Sequence, residues 1–101
     1  MSSGALAGIR VLDLCDHRGE MAGRVLADLG AEVICIEPLE GSKSRLKGPF
    51  SASGESLWWA TFALGKKSVA VDLESVAGRC DFLRLVETAD VCLESFSPRF
   101  I

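Results

Sequence analysis

The sequence predicts an α/β protein built on an open parallel sheet. Short apolar runs rich in branched residues alternate along the chain with segments whose apolar residues recur at helical spacing. The segment between the first two runs is too long for a hairpin, so the strands should be parallel and joined by a right-handed crossover. The chain has 101 residues, 49% hydrophobic and 25% charged, which is a composition typical of one folded domain.

The first strand-helix-strand unit is predicted over residues 9–37. The runs IRVLDL (9–14) and EVICIE (32–37) predict strands, and Gly30 can end the intervening helix in a left-handed conformation. The predicted apolar side of that helix contains Met21, Ala22, Val25, Leu26 and Leu29, and the opposite face contains Glu20, Arg24 and Asp28.

The middle of the chain continues the alternation. Residues 41–54 carry Gly, Ser, Lys and Pro without a period, which predicts a surface loop. Ser56 can cap a short helix, LWWATFAL, residues 69–73 predict a third strand, and Ser75 can cap the next helix. In that helix we expect Gly78 to weaken the first turn, Arg79, Arg84 and Glu87 to face water, and an apolar side of Val76, Cys80, Leu83 and Val86.

The last segment predicts a fourth strand and the start of another unit. Residues 91–94 predict the strand, and Ser97-Pro98 is typical of a helix start with proline at the first helical position. Because the sequence stops at Ile101, before that helix is formed, we expect residues 1–101 to be the opening portion of a larger domain. The apolar edge of the sheet would then be covered by another segment or chain.

Composition narrows the class of protein. The sequence has neither a long apolar run for a membrane span nor a secretory signal at its start, so we expect a cytoplasmic protein without a membrane partner. A formal net charge of −3 argues against a nucleic-acid partner. The cysteines include no C-x-x-C pair, so we expect reduced core thiols and no metal site, with Cys15 as the one candidate for a reactive thiol.

A ligand of an open parallel sheet is expected beyond the carboxyl ends of the strands. Four corners lie there, namely residues 15–19, 37–38, 72–75 and 94–97. Glu37 occupies the place of a ribose-binding acid, but the first turn, DHRGEMAG, lacks the G-x-G-x-x-G of a dinucleotide site. The sequence therefore argues against a classical NAD site, and it contains no P-loop.

Basic residues near these corners favour an anionic ligand. Arg18 can hold a phosphate or carboxylate, or it can be solvated and paired with Glu20, while His17 is more typical of a surface or capping residue. If the loop folds back, a local positive field suited to a nucleotide phosphate would form from Lys43, Arg45, Lys47, Lys66 and Lys67. The alternative is a solvated basic loop.

The sequence shows no catalytic constellation of its own. It has no G-x-S-x-G elbow, no Cys-His arrangement and no convincing pair of carboxylates for acid–base chemistry. Of the adjacent Trp58 and Trp59, at least one is predicted to lie in the core. The residues alone therefore predict an anion-binding α/β half-domain.

Five ordered stretches carry a resemblance to a known family. They are LAGIRVLDL (6–14), RVLADLGAEVICIEP (24–38), SRLKGPF (44–50), GKKSVAVDLES (65–75) and ADVCLESFSP (89–98). Together they resemble the N-terminal part of the family III CoA-transferases, which include formyl-CoA and carnitine CoA-transferases and are related in fold to α-methylacyl-CoA racemases.

The resemblance implies a CoA thioester enzyme that acts on a small carboxylic acid. It implies a Rossmann-like large domain, of which residues 1–101 are the N-terminal part, and an interlocked ring-shaped homodimer. By position, the CoA contacts of the family fall on Arg18, Gly19, Pro38, Val71, Asp72, Leu73, Glu74, Ser95, Phe96 and Ser97. Lys66 and Lys67 match the basic pair of the family, either near a CoA phosphate or as a support for the loop.

The resemblance also implies where the chemistry lies. The catalytic aspartate of the family falls beyond Ile101, where it attacks the acyl-CoA carbonyl and forms a mixed anhydride and then an enzyme–CoA thioester. The 101-residue chain alone should therefore be inactive. The alternatives are a racemase-like enzyme portion, a stand-alone CoA- or nucleotide-binding module, and an assembly element that pairs with a complementary chain.

Overall fold

A computed structural model describes residues 4–96 and has the predicted α/β architecture. In chain order it contains β1 (Arg10–Leu14), α1 (Glu20–Asp28), β2 (Glu32–Glu37), a 3-10 helix (Lys43–Leu46), α2 (Leu57–Ala63), β3 (Lys67–Ala70), α3 (Val76–Thr88) and β4 (Val91–Glu94). The helix start predicted at Ser97-Pro98 lies outside the described residues. Within residues 4–96, no helix is long and apolar enough to cross a membrane.

The strands form one parallel sheet in the order β3-β2-β1-β4. The central strand β1 pairs through Val11 with Val33 of β2 on one side and with Val91 of β4 on the other. This arrangement confirms the predicted open parallel sheet. It also brings the carboxyl ends of all four strands to one edge.

Each face of the sheet has its own core. Side chains alternate along a strand, so Leu12 and Ile34 pack toward Phe82 and Leu85 of α3, whereas Val11 and Val33 pack toward Leu26 and Ala27 of α1. Helices α1 and α3 therefore cover opposite faces.

Helix α1 is rotated relative to the predicted orientation. Met21, Val25 and Leu29 were expected to face the core, but they are exposed, Met21 by 57%. Glu20, expected to face water, is only 4% exposed because its carboxylate accepts a hydrogen bond from the Trp58 indole and its carbonyl accepts one from Lys66.

Helix α3 is also rotated relative to its predicted apolar side. Val76, Leu83 and Val86 are exposed, as is Cys80, whereas Phe82, Leu85 and Ala89 contact the core. Gly78 is buried because a β-carbon at that position would lie 1.8 Å from the carbonyl oxygen of Asp72. The glycine thus permits close packing and is more than a weak point in the helix.

The third strand begins and ends earlier than predicted. It spans Lys67–Ala70 rather than residues 69–73, because its pairing partners are Ile34–Glu37 of β2. The amide of Val71 still bonds the Glu37 carbonyl, at 2.8 Å, before the chain turns away. The predicted loop at 41–54 contains the 3-10 helix, and the predicted caps are confirmed, since the hydroxyls of Ser56 and Ser75 accept from the amides of Trp59 and Gly78.

The cysteines and tryptophans divide between interior and surface. Cys35 is buried and Cys15 half-buried, but Cys80 and Cys92 are exposed in this chain, so the prediction of core thiols is wrong for these two. All four are free thiols. The two tryptophans are each half-buried, with neither among the buried core residues of the described chain.

Candidate functional site

A cleft of about 570 Å³ lies at the carboxyl ends of the strands. Residues that follow each of the four strands line it, and Trp59 of α2 and Lys43 of the 3-10 helix contribute to its wall. Six of the residues predicted as CoA contacts belong to this lining: Pro38, Val71, Asp72, Leu73, Glu74 and Phe96. The corners named from the sequence therefore meet at one edge of the sheet.

The first and fourth corners are joined by hydrogen bonds although they lie 79 residues apart in the chain. The hydroxyl of Ser95 accepts from the Asp16 amide at 2.9 Å and lies 3.0 Å from the Asp16 carboxylate. Arg18 donates to the Ser95 carbonyl at 2.7 Å. These bonds bring Arg18 and Ser95 together beside the cleft.

Arg18 pairs with Asp16, and not with Glu20 as one alternative from the sequence proposed. Its Nη2 lies 2.9 Å from the Asp16 carboxylate, while 59% of the Arg18 side chain remains exposed. The hydrogen bond from the Arg18 guanidinium lowers the pKa of Asp16 well below its usual range. Asp16 was not named as a site residue, although its position two residues before Arg18 was a usable signal.

These two corners lie at the ends of β1 and β4, where the order in which strands are added to the sheet reverses. From β1 the connection leads to β2 on one side, and β4 lies on the other, with α1 and α3 on opposite faces. In open parallel sheets, ligands bind at such a switch point. Gly19 allows the tight turn there, because a β-carbon on it would lie 2.7 Å from the Cys15 sulfur.

The second corner is organised by Glu37. Its buried carboxylate accepts bonds from Arg45 Nε at 2.7 Å, Arg45 Nη2 at 2.8 Å, the Ser42 amide and the Ser68 hydroxyl. The Arg45 guanidinium is the main reason that the pKa of Glu37 falls to about 2. Arg45 also stacks over the Trp59 ring at 4.1 Å, so Glu37 holds the basic loop and is not available to a ribose.

The third corner is fixed by its own backbone. The Asp72 carboxylate accepts from the Glu74 amide at 3.0 Å, and the Asp72 carbonyl accepts from the Ser75 hydroxyl at 3.1 Å. Gly78 packs directly on that carbonyl. This corner is therefore a capped helix start that holds Asp72, Leu73 and Glu74 along the cleft.

Lys66 precedes β3 and Lys67 is its first residue, and neither of them lines the cleft. The Lys66 side chain is 2% exposed, and its ammonium contacts Asp13 at 2.8 Å beneath the cleft. Lys67 pairs with Glu32 and lines a separate depression of about 790 Å³ at the amino ends of the strands, where Arg10 also bonds Glu32. Lys66 thus contacts the first corner from beneath without lining the cleft, whereas Lys67 lies at the other end of the sheet.

The cleft thiols are not poised as nucleophiles. Burial, and then the charge of Asp13, raises the pKa of Cys15 to about 12, and burial raises that of Cys35 to about 12. Among the described residues, no group of three or more His, Cys, Asp or Glu side chains is arranged to hold a metal ion. The described residues therefore offer the cleft neither an activated thiol nor a cluster of metal ligands.

Comparison with known proteins agrees with this geometry. The family described as CoA-transferase family III matches residues 6–101. The chain is 41% identical over 95 residues to a succinyl-CoA–D-citramalate CoA-transferase of Chloroflexus aurantiacus, covering 92% of this chain and 24% of that protein. It is 43% identical over 99 residues to a succinate–glutarate CoA-transferase of Agrobacterium fabrum, covering 90% of this chain and 25% of that protein.

A solved structure shares the fold. The crystal structure of a hypothetical protein from Mycobacterium tuberculosis superposes with a TM-score of 0.86 at 40% identity, over 97% of this chain and 27% of that one. The chain thus spans about a quarter of the length of the curated relatives it matches. The match to the family extends over nearly all of this sequence, and the chain therefore belongs to the CoA-transferase family III.

Proposed function

We propose that the whole protein moves CoA between a CoA thioester and a carboxylic acid, and that this chain forms part of the CoA-binding rim. The observation that carries the proposal is the gathering of all four strand-end corners along one cleft in a chain of this family. In an open parallel sheet that edge is where a phosphorylated ligand is expected.

The corners offer two kinds of contact to such a ligand. The exposed guanidinium of Arg18, whose Nε and Nη2 bond Asp16 and Ser95, presents Nη1 and a delocalised positive charge to a phosphate. The pantetheine arm would meet mainly apolar surface, formed by Pro38, Val71, Leu73 and Phe96. The first and fourth corners are shaped by Gly19 and Ser95. Ser97 lies outside the described residues, and its contact with CoA stays a prediction.

We leave Lys66 and Lys67 out of the proposed contact surface. The first is buried on Asp13, and the second lies at the opposite end of the sheet. The ion pairs with Asp13 and Glu32 give both lysines a structural role within the sheet and its turns.

The donor and acceptor acids are proposed by class only. Two relatives are named for succinyl-CoA or succinate. The first pair to test is therefore the CoA thioester of a dicarboxylic acid as donor and a small dicarboxylate as acceptor. The attacking carboxylate is proposed to lie outside residues 1–101, as the resemblance implies.

We also propose that the whole protein is a cytoplasmic homodimer of interlocked subunits. The exposed apolar side chains on the outer faces of α1 and α3, such as Met21 and Leu83, support burial against further protein. Light scattering on the complete protein should give twice the subunit mass, and a monomer at micromolar concentration would contradict the proposal.

The activity is tested with the complete protein and a panel of CoA thioesters, beginning with succinyl-CoA. We expect CoA transfer to a carboxylate acceptor and an Arg18→Gln variant whose KM for the thioester rises about tenfold, the usual scale for loss of one charged hydrogen bond. Arg84→Gln, which removes an exposed arginine on α3, is the control and should leave KM unchanged.

Two results would contradict the proposal. One is a complete protein that neither binds nor turns over any CoA thioester. The other is CoA transfer catalysed by the isolated 101-residue chain, since that would require a nucleophile among these residues.

A further inference from the structure

A buried ion pair lies beneath the candidate cleft. Lys66 and Asp13 are 2% and 1% exposed, and their charged atoms are 2.8 Å apart. Removing two charges from water is costly, and such a pair is often no more stabilising than apolar residues of similar size. The pair is therefore more important for the segments that its two side chains hold in place than for the free energy of unfolding.

The pair contacts both ends of the turn that contains Arg18 and Gly19. Asp13 accepts from the Cys15 amide at 2.9 Å through Oδ1, while Oδ2 accepts from the Lys66 ammonium. Lys66 donates a second bond, at 3.1 Å, to the carbonyl of Glu20. Cys15 begins the turn after β1, and Glu20 is the first residue of α1.

The packing around the pair leaves little freedom. A β-carbon on Gly23 would lie 2.2 Å from Asp13 Oδ2 and 3.0 Å from Lys66 Nζ, so α1 packs its bare backbone against both charges. The Glu20 carboxylate accepts from the Trp58 indole at 2.9 Å, which ties the same helix end to α2. The turn is therefore held from below by β1, α2 and the segment before β3.

We propose that Asp13 and Lys66 are positioning residues that fix the 15–20 turn in the conformation that binds the CoA thioester. The proposal rests on the function proposed above for this cleft. The two side chains act through the Cys15 amide and the Glu20 carbonyl and do not touch the ligand themselves.

The test compares four variants of the complete protein. Lys66→Met removes one charge and leaves Asp13 buried without its partner, so it is expected to unfold more easily. Asp13→Leu/Lys66→Met removes both charges with side chains of matching branching and length and keeps the fold testable. Asp13→Asn/Lys66→Met also removes both charges but retains an acceptor for the Cys15 amide. Arg24→Met/Asp28→Asn is the control, because it removes an ion pair of α1 that contacts α2 through Thr61 but not the turn.

Two measurements separate positioning from a merely structural role. We expect Asp13→Leu/Lys66→Met to fold with a thermal midpoint close to that of the parent. Amide hydrogen exchange at residues 15–20 should nevertheless become about tenfold faster, and KM for the CoA thioester should rise about tenfold with little change in kcat. Asp13→Asn/Lys66→Met should show smaller changes in both, and the control should show neither.

The outcomes are distinct. A folded double variant with the parent's hydrogen exchange and KM would overturn the positioning role while leaving CoA binding intact. A parent protein that binds no CoA thioester would overturn the proposed function, and hydrogen exchange alone would then decide whether the pair fixes the turn. Equal effects in the control variant would also overturn the proposal, since they would show a general loss of rigidity.

Discussion

At the scale of single residues, three carboxylates at the ends of β1 and β2 each have a defined structural partner. Asp13 bonds Lys66, Asp16 bonds Arg18 and Glu37 bonds Arg45. The loops beyond β1 and β2 are thereby tied to the sheet by charge-assisted hydrogen bonds. Protonation or removal of one of these carboxylates should loosen the loop that it holds.

The contact between Glu37 and Arg45 should make the stability of the protein depend on pH. The pKa of Glu37 is lowered to about 2 from an ordinary 4.5, so its contribution to stability is complete above about pH 4.5 and is lost as the pH falls toward 2. We expect Glu37→Gln to lose about 1–3 kcal/mol of stability at pH 7, because Arg45 loses its charged partner. Below pH 4.5 the variant's thermal midpoint should fall less steeply than that of the parent in calorimetry.

The control for this experiment is Glu55→Gln, which changes an exposed carboxyl in the loop before α2. Its midpoint should follow the parent at each pH. If Glu37→Gln were as stable as the parent at pH 7 and declined in parallel with it in acid, the Glu37–Arg45 contact would not hold the loop.

The thiols of Cys15 and Cys35 provide a second residue-scale prediction. With pKa values raised to about 12, they carry very little thiolate at pH 8. We expect alkylation by iodoacetamide about a thousandfold slower than for a free cysteine, from the thiolate fraction alone. Peptide mass spectrometry after timed quenching gives the rates. In urea all four cysteines should react alike, and rapid labelling of Cys15 in the native protein would contradict the prediction.

At the scale of elements, the sequence predicted the type and order of the strands and helices better than it predicted which face of each helix meets the sheet. The strands at 32–37 and 91–94 have the predicted bounds, and a buried run of branched residues marks the first of them clearly. The inner faces of α1 and α3 were not predicted because each helix has a second apolar stripe. Periodicity alone cannot tell which stripe meets the sheet. In the observed orientation, Gly78 of α3 packs against the Asp72 carbonyl, and Glu20 of α1 accepts a hydrogen bond from Trp58.

Gly78 offers the test at this scale. Helix propensity alone predicts that Gly78→Ala would stabilise α3 by about 1 kcal/mol. The new β-carbon would meet the Asp72 carbonyl oxygen at 1.8 Å, so we expect destabilisation by about 1–3 kcal/mol in urea unfolding. Ala77→Gly, at the exposed neighbouring position, should lose about 1 kcal/mol from propensity alone. A stabilised Gly78→Ala variant would show that the close contact does not determine how α3 packs.

At the scale of the whole molecule, the candidate site was predictable to the level of its corners. Parallel topology requires all strand ends to meet at one edge, so the positions of Pro38, residues 72–74 and Phe96 followed from the pattern. The partners within the edge did not follow, because the Asp16–Ser95 and Lys66–Asp13 contacts join residues 79 and 53 positions apart. The one local signal of the buried Lys66–Asp13 pair was the presence of an acid, Asp13, within the apolar run IRVLDL.

Ligand choice is the prediction that belongs to this scale. CoA should raise the thermal midpoint of the complete protein, since a ligand at a hundred times its Kd stabilises the folded state by about 2.7 kcal/mol. NAD at the same concentration should have no effect, because the first turn lacks the glycines that admit a pyrophosphate. Differential scanning fluorimetry measures both, and a larger shift with NAD would contradict the assignment of the cleft.

The bond between Asp16 and Ser95 has a consequence for biosynthesis. β1, α1 and β2 emerge from the ribosome long before β4, yet the rim is complete only when Ser95 reaches Asp16. A nascent chain released short of residue 95 would carry the central strands and half of the cleft, without the contact that closes its wall. The wall of the cleft is therefore complete only after synthesis of the strand made last among those described here.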